Sequence, residues 1–345
     1  MSPQVVVTFA TTPTGLESGT MQRRIFVAAA ALAITSLVAG CATEATGTAD
    51  GADGTTTVTV GLLPIVPTAG FRLGVEKGFF KDEGLDIKIA EAQSGAAVMA
   101  SVVSGEYDVG FAAVVPQIQA VEQGLPIKVI GTASSVSNNA GLFVAPDSPI
   151  KSPADLKGAR IGVVALKSID EVTIRGAADH LGVDSSTFQF VSVPFPEMLP
   201  ALEAGRVDAV ELPEPFYTAA LSKGHREIIQ EPMGVFLGDG ATNSSFFTSD
   251  SHIAKKKNVV DSFIRALERS NEYATKNPQE VAKTVSAYTS ISSDTAEKMV
   301  PTVFGTTVTT ESYEALGELM VRYGILSADP NLSNLIYEDA SQGGS

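Results

Sequence analysis

The chain has 345 residues, 44% hydrophobic and 18% charged, with 39 acidic against 24 basic side chains and a net charge of −15. That length and apolar content exclude wholesale disorder and suit two domains, and the acidic balance excludes an unaided binder of nucleic-acid phosphates. One cysteine, Cys41, and three scattered histidines (His180, His225, His252) exclude an intramolecular disulfide, a cysteine zinc site and an iron–sulfur cluster.

Residues 1–20 lack periodicity, and Met21 reads as the better start. Arg23 and Arg24 lead into an apolar run over 25–38, closed by Ala39-Gly40 before Cys41. A positive start, a short apolar stretch and small residues at the cut make a secretory signal peptide. As helix the run rises about 21 Å, short of the roughly 30 Å needed to span a bilayer. Leu37-Val38-Ala39-Gly40-Cys41 looks like a bacterial lipobox, whose cysteine is acylated. An ordinary secreted chain with an incidental cysteine is the alternative. The sequence therefore predicts a signal peptide over 1–40 and a lipidated tether over 41–56, polar and rich in Gly, Ala and Thr.

Beyond the tether, strand and helix alternate. Strands are predicted over 57–63, 85–90, 109–113 and 127–133, with helices over 69–78, 96–104 and 118–123 between them. The scheme repeats with strands at 160–164, 188–193 and 209–212 and helices at 169–181 and 198–204. This alternation predicts parallel α/β sheets. After Ser251 the chain turns helical, over 259–277, 278–288, 293–300 and 310–323. One echo joins the halves: helix, Gly105-Glu106-Tyr107-Asp108, strand recurs as helix, Gly205-Arg206-Val207-Asp208, strand. Glycine ends each helix and aspartate opens the next strand. With crossovers expected at 142–145 and 233–243, the reading is two lobes, 57–144 plus 236–345 and 145–235, around a cleft.

Four stretches in order resemble one family. They are Val75-Glu76-Lys77-Gly78-Phe79-Phe80-Lys81-Asp82-Glu83-Gly84-Leu85, Gly105-Glu106-Tyr107-Asp108-Val109, Ile150-Lys151-Ser152-Pro153-Ala154-Asp155-Leu156-Lys157-Gly158 and Glu211-Leu212-Pro213-Glu214-Pro215-Phe216. The chain resembles substrate-binding lipoproteins of ABC importers of the sulfonate, nitrate and taurine type, whose fold thiamine-pyrimidine synthases share. The resemblance implies a two-lobed, periplasmic-binding-protein-like α/β clamp of type II with a helical C-terminal region. The motifs themselves read mostly as scaffold: Ser152 is an N-cap, Pro153 sits at the first helical position and Asp155 in the first turn.

Open α/β sheets bind ligands beyond their strand ends. That places Pro64, Ile65 and Val66 after the first strand, Ser94 and Gly95 at a helix start, and Ala113 and Val114 after the third strand. In the second lobe it selects Lys167 and Ser168 at a helix start and Glu211 and Glu214 at a strand end, with Asn243 near the return crossover. Helix starts present free N–H groups, so Ser94 and Ser168, with Lys167 assisting, predict an anionic ligand. Plain capping explains both serines equally well. Glu214 has a reading as a first-turn acid, and Lys167 as a solvated charge. Apolar Leu63, Val66, Val114 and Phe216 suit an aromatic acid or a pyrimidine.

No histidine sits in a recognisable catalytic motif, and all three read as surface residues. By the resemblance, the fungal synthase branch uses a cysteine-rich segment and a sacrificial histidine, whereas the one cysteine here is Cys41. The expectation is a non-enzymatic, extracytoplasmic, lipid-anchored receptor without cofactor or metal. Its partners would be a small organic anion (sulfonate, taurine-like or aromatic carboxylate), an ABC permease with its ATPase, and the membrane through the anchor, but no nucleic acid. The alternative is a pyrimidine or thiamine-precursor binder, or a synthase-like enzyme of the same fold.

Overall fold

The computed structural model describes residues 54–340; the expected signal peptide, Cys41 and the expected tether through residue 53 lie outside them. Alternating β-branched residues carry Thr56–Leu62 (β1), with Val58, Val60 and Leu62 turned into the core. Leu85–Glu91 (β2), Val109–Ala113 (β3) and Ile127–Ser135 (β4) follow, each after helix. The second sheet uses Ala140–Val144 (β5), Arg160–Val163 (β6), Gln189–Ser192 (β7), Ala209–Pro213 (β8) and Arg226–Gln230 (β9). Thr242–Ser249 (β10) then returns to the first.

The strand orders are β2-β1-β3-β10-β4 and β7-β6-β8-β5-β9. In each sheet three parallel strands meet one antiparallel strand, β10 or β5, that has just crossed from the other sheet. The architecture is the expected α/β clamp. The first crossover differs from the expectation. Ala140–Val144 is itself a strand of the second sheet, so the chain passes between sheets at 136–139, and the lobe boundary set at 144 moves back accordingly. On the return, the connection holds a short helix, Gly234–Leu237, and Thr242 and Asn243 already belong to β10.

The two crossovers run side by side. Val136 N–H donates to Ala241 O at 2.8 Å, and Gly240 N–H to Val136 O at 3.0 Å. Asn139 N–H donates to Glu231 Oε2 at 3.1 Å, while Glu231 N–H donates to Ala140 O at 2.8 Å. Both crossovers carry a residue in the left-handed region, Asn138 at φ 56° and Glu231 at φ 42°. Asparagine tolerates that conformation; a glutamate there is held by its surroundings.

The internal echo has a structural cause. Gly105 (φ 80°) and Gly205 (φ 64°) each end a helix in the left-handed conformation. Asp108 then accepts Thr59 N–H at 2.8 Å and donates its own N–H to Thr59 O at 2.9 Å. Asp208 repeats this on Arg160, at 2.8 Å and 2.7 Å. Each aspartate pins the start of its strand to the parallel neighbour. Asp208 also binds the Arg160 guanidinium, and that partner holds its carboxyl below the ordinary carboxylate range. Replacing either aspartate by alanine should cost about 1–3 kcal/mol, the range for stranding a backbone donor, read in urea unfolding. An unchanged midpoint for both would remove the pinning role.

The helical region begins earlier than expected, at Asp250–Lys276, with non-helical backbone at Lys256 (φ −139°, ψ 41°). It packs on the first sheet through Phe263, whose ring centroid lies 5.8 Å from Phe246 of β10, 5.7 Å from Phe71 and 5.3 Å from Phe80. Among the described residues no helix is long and apolar enough to cross a membrane.

Candidate functional site

The strand ends of both sheets converge on a cavity of about 130 Å³. Ile65 reaches it from the turn after β1, Ser94 and Gly95 from a helix start, Ala113 from the end of β3, and Asn243 from β10. The second lobe brings Lys167, Ser168 and Glu211. Four expected residues lie elsewhere. Pro64 is half-buried outside the cavity, and Val66 turns toward a separate hollow among the C-terminal helices. Val114 opens the helix Val114–Glu122 and is wholly buried in the core, because one step beyond Ala113 the side chain swings to the opposite face. Glu214 is buried behind the cavity, where it accepts bonds from Thr218 and Val300.

Sequence reasoning missed other lining groups: Gln119, Asp170, Thr173, Phe195, Glu231 and Met233. Asp170 and Thr173 stand inside the helix Ile169–His180, beyond the strand-end turn that precedes it. Glu231 belongs to the crossover, which composition alone does not mark.

The first lobe presents the start of the helix Gly95–Ser104, which has no acid in its first turn. Ser94 Oγ accepts Ala97 N–H at 3.3 Å, so this serine caps, while the N–H groups of Gly95 and Ala96 have no acceptor within the helix. A side chain at Gly95 would come within 3.2 Å of Pro116 Cγ and 3.3 Å of Ala112 Cβ, so glycine lets the helix start close on β3. Asn243 Oδ1 accepts the Ser134 and Ser244 hydroxyls at 2.7 and 3.0 Å.

The second lobe differs from the expectation. Its loop N–H groups are satisfied internally: Val164 N–H donates to Asp170 Oδ2 at 2.7 Å, Lys167 N–H to Glu171 Oε2 at 2.8 Å, and Ser168 N–H to Ala165 O at 3.3 Å. Two first-turn acids thus occupy the helix start proposed for an anion. The Lys167 residue is exposed, and its carbonyl accepts Gln119 Nε2 at 2.9 Å across the mouth of the cavity. Ser168 Oγ does not cap. It is buried and has no hydrogen-bond partner among the described residues.

Three carboxyl groups line the second lobe, all buried: Asp170, Glu211 and Glu231. Burial pushes the Asp170 carboxyl up to about 6 and Glu231 to about 7. Glu211 is raised well above the ordinary range, first by burial and then by the negative charges of Asp170 and Glu231. Glu171 differs, since Arg175 pairs with it at 3.1 Å. None of the histidines lines the cavity. His225 and His252 are not surface residues: His225 is buried beside Glu203, and His252 lies 3.3 Å from Asp108 with burial lowering its pKa. Among the described residues no three His, Cys, Asp or Glu side chains gather to hold a metal.

Comparison with known proteins gives the same architecture. The model of the family described as NMT1/THI5 like matches residues 67–281. The chain is 25% identical over 214 residues to the 4-amino-5-hydroxymethyl-2-methylpyrimidine phosphate synthase of Candida albicans, covering 59% of this chain and 62% of the relative. It is 25% identical over 213 residues to the taurine-binding periplasmic protein of Escherichia coli, covering 59% and 65%. These matches span less than two thirds of either relative's length. The alkanesulfonate-binding protein SsuA from Xanthomonas axonopodis, solved with MOPS bound, superposes with a TM-score of 0.71 at 17% identity, over 81% of this chain and 98% of that one. At that identity the likeness establishes the fold, which is that of periplasmic binding proteins.

Proposed function

The chain belongs to the NMT1/THI5-like family, and from that premise we propose that it is the extracytoplasmic solute-binding component of an ABC importer. It holds a small molecule between its lobes, does no chemistry on it, and passes it to a permease driven by a partner ATPase. The observation that carries this reading is the placement of the cavity. It lies at the strand ends of two sheets of equivalent topology, bridged by Gln119 and Lys167 and joined by two paired crossovers. The name of the taurine-binding relative supports it. The free N–H groups at Gly95 and Ala96 support an acidic group at the first-lobe end of the ligand. The apolar run before Cys41 supports export and a lipid anchor at that cysteine.

Relatives named as pyrimidine phosphate synthases favour a second reading, an enzyme on the same fold. One experiment separates the two. Small-angle scattering with saturating ligand should give a smaller radius of gyration, and mass spectrometry should recover the ligand intact. A chemically altered ligand would establish the enzyme. An unchanged shape with a tight ligand would remove closure from the mechanism.

A further inference from the structure

We propose that the second lobe of this cleft recognises a basic nitrogen on the ligand, an amine- or amidine-type group seated between Glu211 and Glu231 and reached by the Ser168 hydroxyl. The proposal rests on the solute-binding reading and names the chemistry of one end of the solute.

Three carboxyl groups arrive at one cavity from three different elements: Glu211 from β8, Glu231 from the crossover and Asp170 from the helix start. Two have local structural duties, Asp170 toward Val164 N–H and Glu231 toward Asn139 N–H. Glu211 has almost none, since its one contact is a long bond from Thr173 Oγ1 at 3.3 Å. Among the described residues no lysine or arginine pairs with any of the three. The nearby Arg175 is committed to Glu171 and to Ser185 O, and Lys167 is exposed.

Ser168 Oγ is an independent sign. It is 7% exposed, lines the same cavity and has no partner among the described residues, although a buried hydroxyl without one costs free energy. A ligand N–H group satisfies both features, donating to the serine oxygen and to a carboxylate. A bare anion in this half of the cleft would be tolerated only while the carboxyls stay protonated, whereas a basic group pairs with them as they ionise. The burial that makes the carboxylates costly is offset by a cation or strong donor placed among them. A metal ion does not fit, because the side chains do not gather at metal-binding geometry.

The test uses calorimetry on the full chain with matched probes that differ in one amino group: 2-aminoethanesulfonate against 2-hydroxyethanesulfonate, and 4-amino-2-methylpyrimidine against 2-methylpyrimidine. In at least one pair the amino member should bind about ten- to hundredfold more tightly, the range for a charged hydrogen bond. Glu211→Gln, checked for folding by its melting curve, should bring that pair to within about threefold. Equal or tighter binding of the members without the amino group overturns the proposal and leaves the receptor reading standing. So does an unchanged ratio in a folded Glu211→Gln. Binding by none of the four also overturns it, and the receptor reading is then decided by the scattering experiment. Should Glu211→Gln not fold, the wild-type ratios alone decide.

Discussion

Glu231→Gln is expected to stabilise the ligand-free protein at pH 8 by about 3 kcal/mol and to leave it nearly unchanged at pH 4.5. The figure follows from burial raising the carboxyl from 4.5 to about 7, at 1.36 kcal/mol per pKa unit. An acid with a raised pKa keeps its proton in the folded state where the unfolded chain has released it. Its favourable contribution is therefore complete below the ordinary carboxylate pKa and is lost as pH climbs through about 7. Asp170, raised to about 6, and Glu211, raised further by its two acidic neighbours, act in the same direction. The groups facing Glu231 are the N–H groups of Asn138, Asn139 and Ala140, which favour its charge, Asp239, which opposes it along with burial, and Glu211, whose own carboxyl is pushed up by burial and then by the charges of Asp170 and Glu231. His252 works the other way, since burial lowers its pKa and its contribution grows as pH rises toward 6.5. Below these windows, carboxyls with lowered pKa, such as Asp155 and Asp208, lose their bonds and set the acid limit. Wild type should thus melt at a higher temperature at pH 5 than at pH 8, and Glu231→Gln should flatten that slope. The glutamine oxygen still accepts Asn139 N–H, so the crossover keeps its tie. Parallel melting profiles for the two proteins would refute the account.

On the proposed receptor reading, the same carboxyl would link the ligand to the crossovers that join the lobes. Glu231 lines the cavity, accepts a bond from the opposite crossover and sits at φ 42°, a costly conformation outside glycine. A basic group seated beside it, as proposed, would offset the cost of the buried charge at the point where the two lobes are joined. This gives differential free energy between ligand-free and liganded arrangements, which a closing receptor requires.

Much of the fold is legible because local and global preferences agree. Thr56–Leu62 alternates β-branched residues and forms the strand its pattern calls for, and the Gly105 and Gly205 turns mark both lobes. Thr242–Ser249 is the counterexample. Its sequence, TNSSFFTS, prompts no strand assignment and its start falls in the expected crossover, yet it is an interior strand buried along most of its length. Its hydroxyls are satisfied by partners remote in sequence. Ser245 Oγ meets Gln117 at 2.9 Å and Tyr313 at 2.7 Å, and Thr248 Oγ1 donates to Asp108 O at 2.6 Å. No local pattern carries that information. Ala140–Val144 failed differently: its apolar residues fit a buried strand or a core connection equally well. At the cavity, strand ends point to the turns that line it but not to the side-chain directions, which separate Ala113 from Val114. Of the second-lobe acids, Glu211 stands at a strand end and is legible, whereas Asp170, in a first turn, reads as ordinary helix-start charge and Glu231 lies in a crossover that no local pattern marks.

Glu214→Ala should cost about 2–5 kcal/mol of stability while changing ligand affinity less than about threefold, the opposite of what a ligand contact would give. Glu214 is 1% exposed and lies outside the cavity lining. Its Oε1 accepts the Thr218 hydroxyl at 2.7 Å and Val300 N–H at 2.8 Å, and its Oε2 accepts Thr218 N–H at 3.2 Å. Its own N–H donates to Asn139 O at 3.0 Å, and its carbonyl accepts Val66 N–H at 3.3 Å. One residue thus fastens the end of β8 to the next helix, to the first crossover and to the C-terminal helical region. Alanine keeps the two backbone bonds but strands two buried N–H donors and a hydroxyl, each costing about 1–3 kcal/mol before relaxation. It also leaves a void where the carboxyl was. Glu214→Gln retains one acceptor oxygen but turns an NH₂ group toward donors, so it should fall between wild type and alanine. Urea unfolding paired with calorimetry on the same preparations gives both readouts. An affinity loss above tenfold with stability intact would put Glu214 back at the ligand and break the division between scaffold and site drawn along β8, where Glu211 faces the cavity and Glu214 does not.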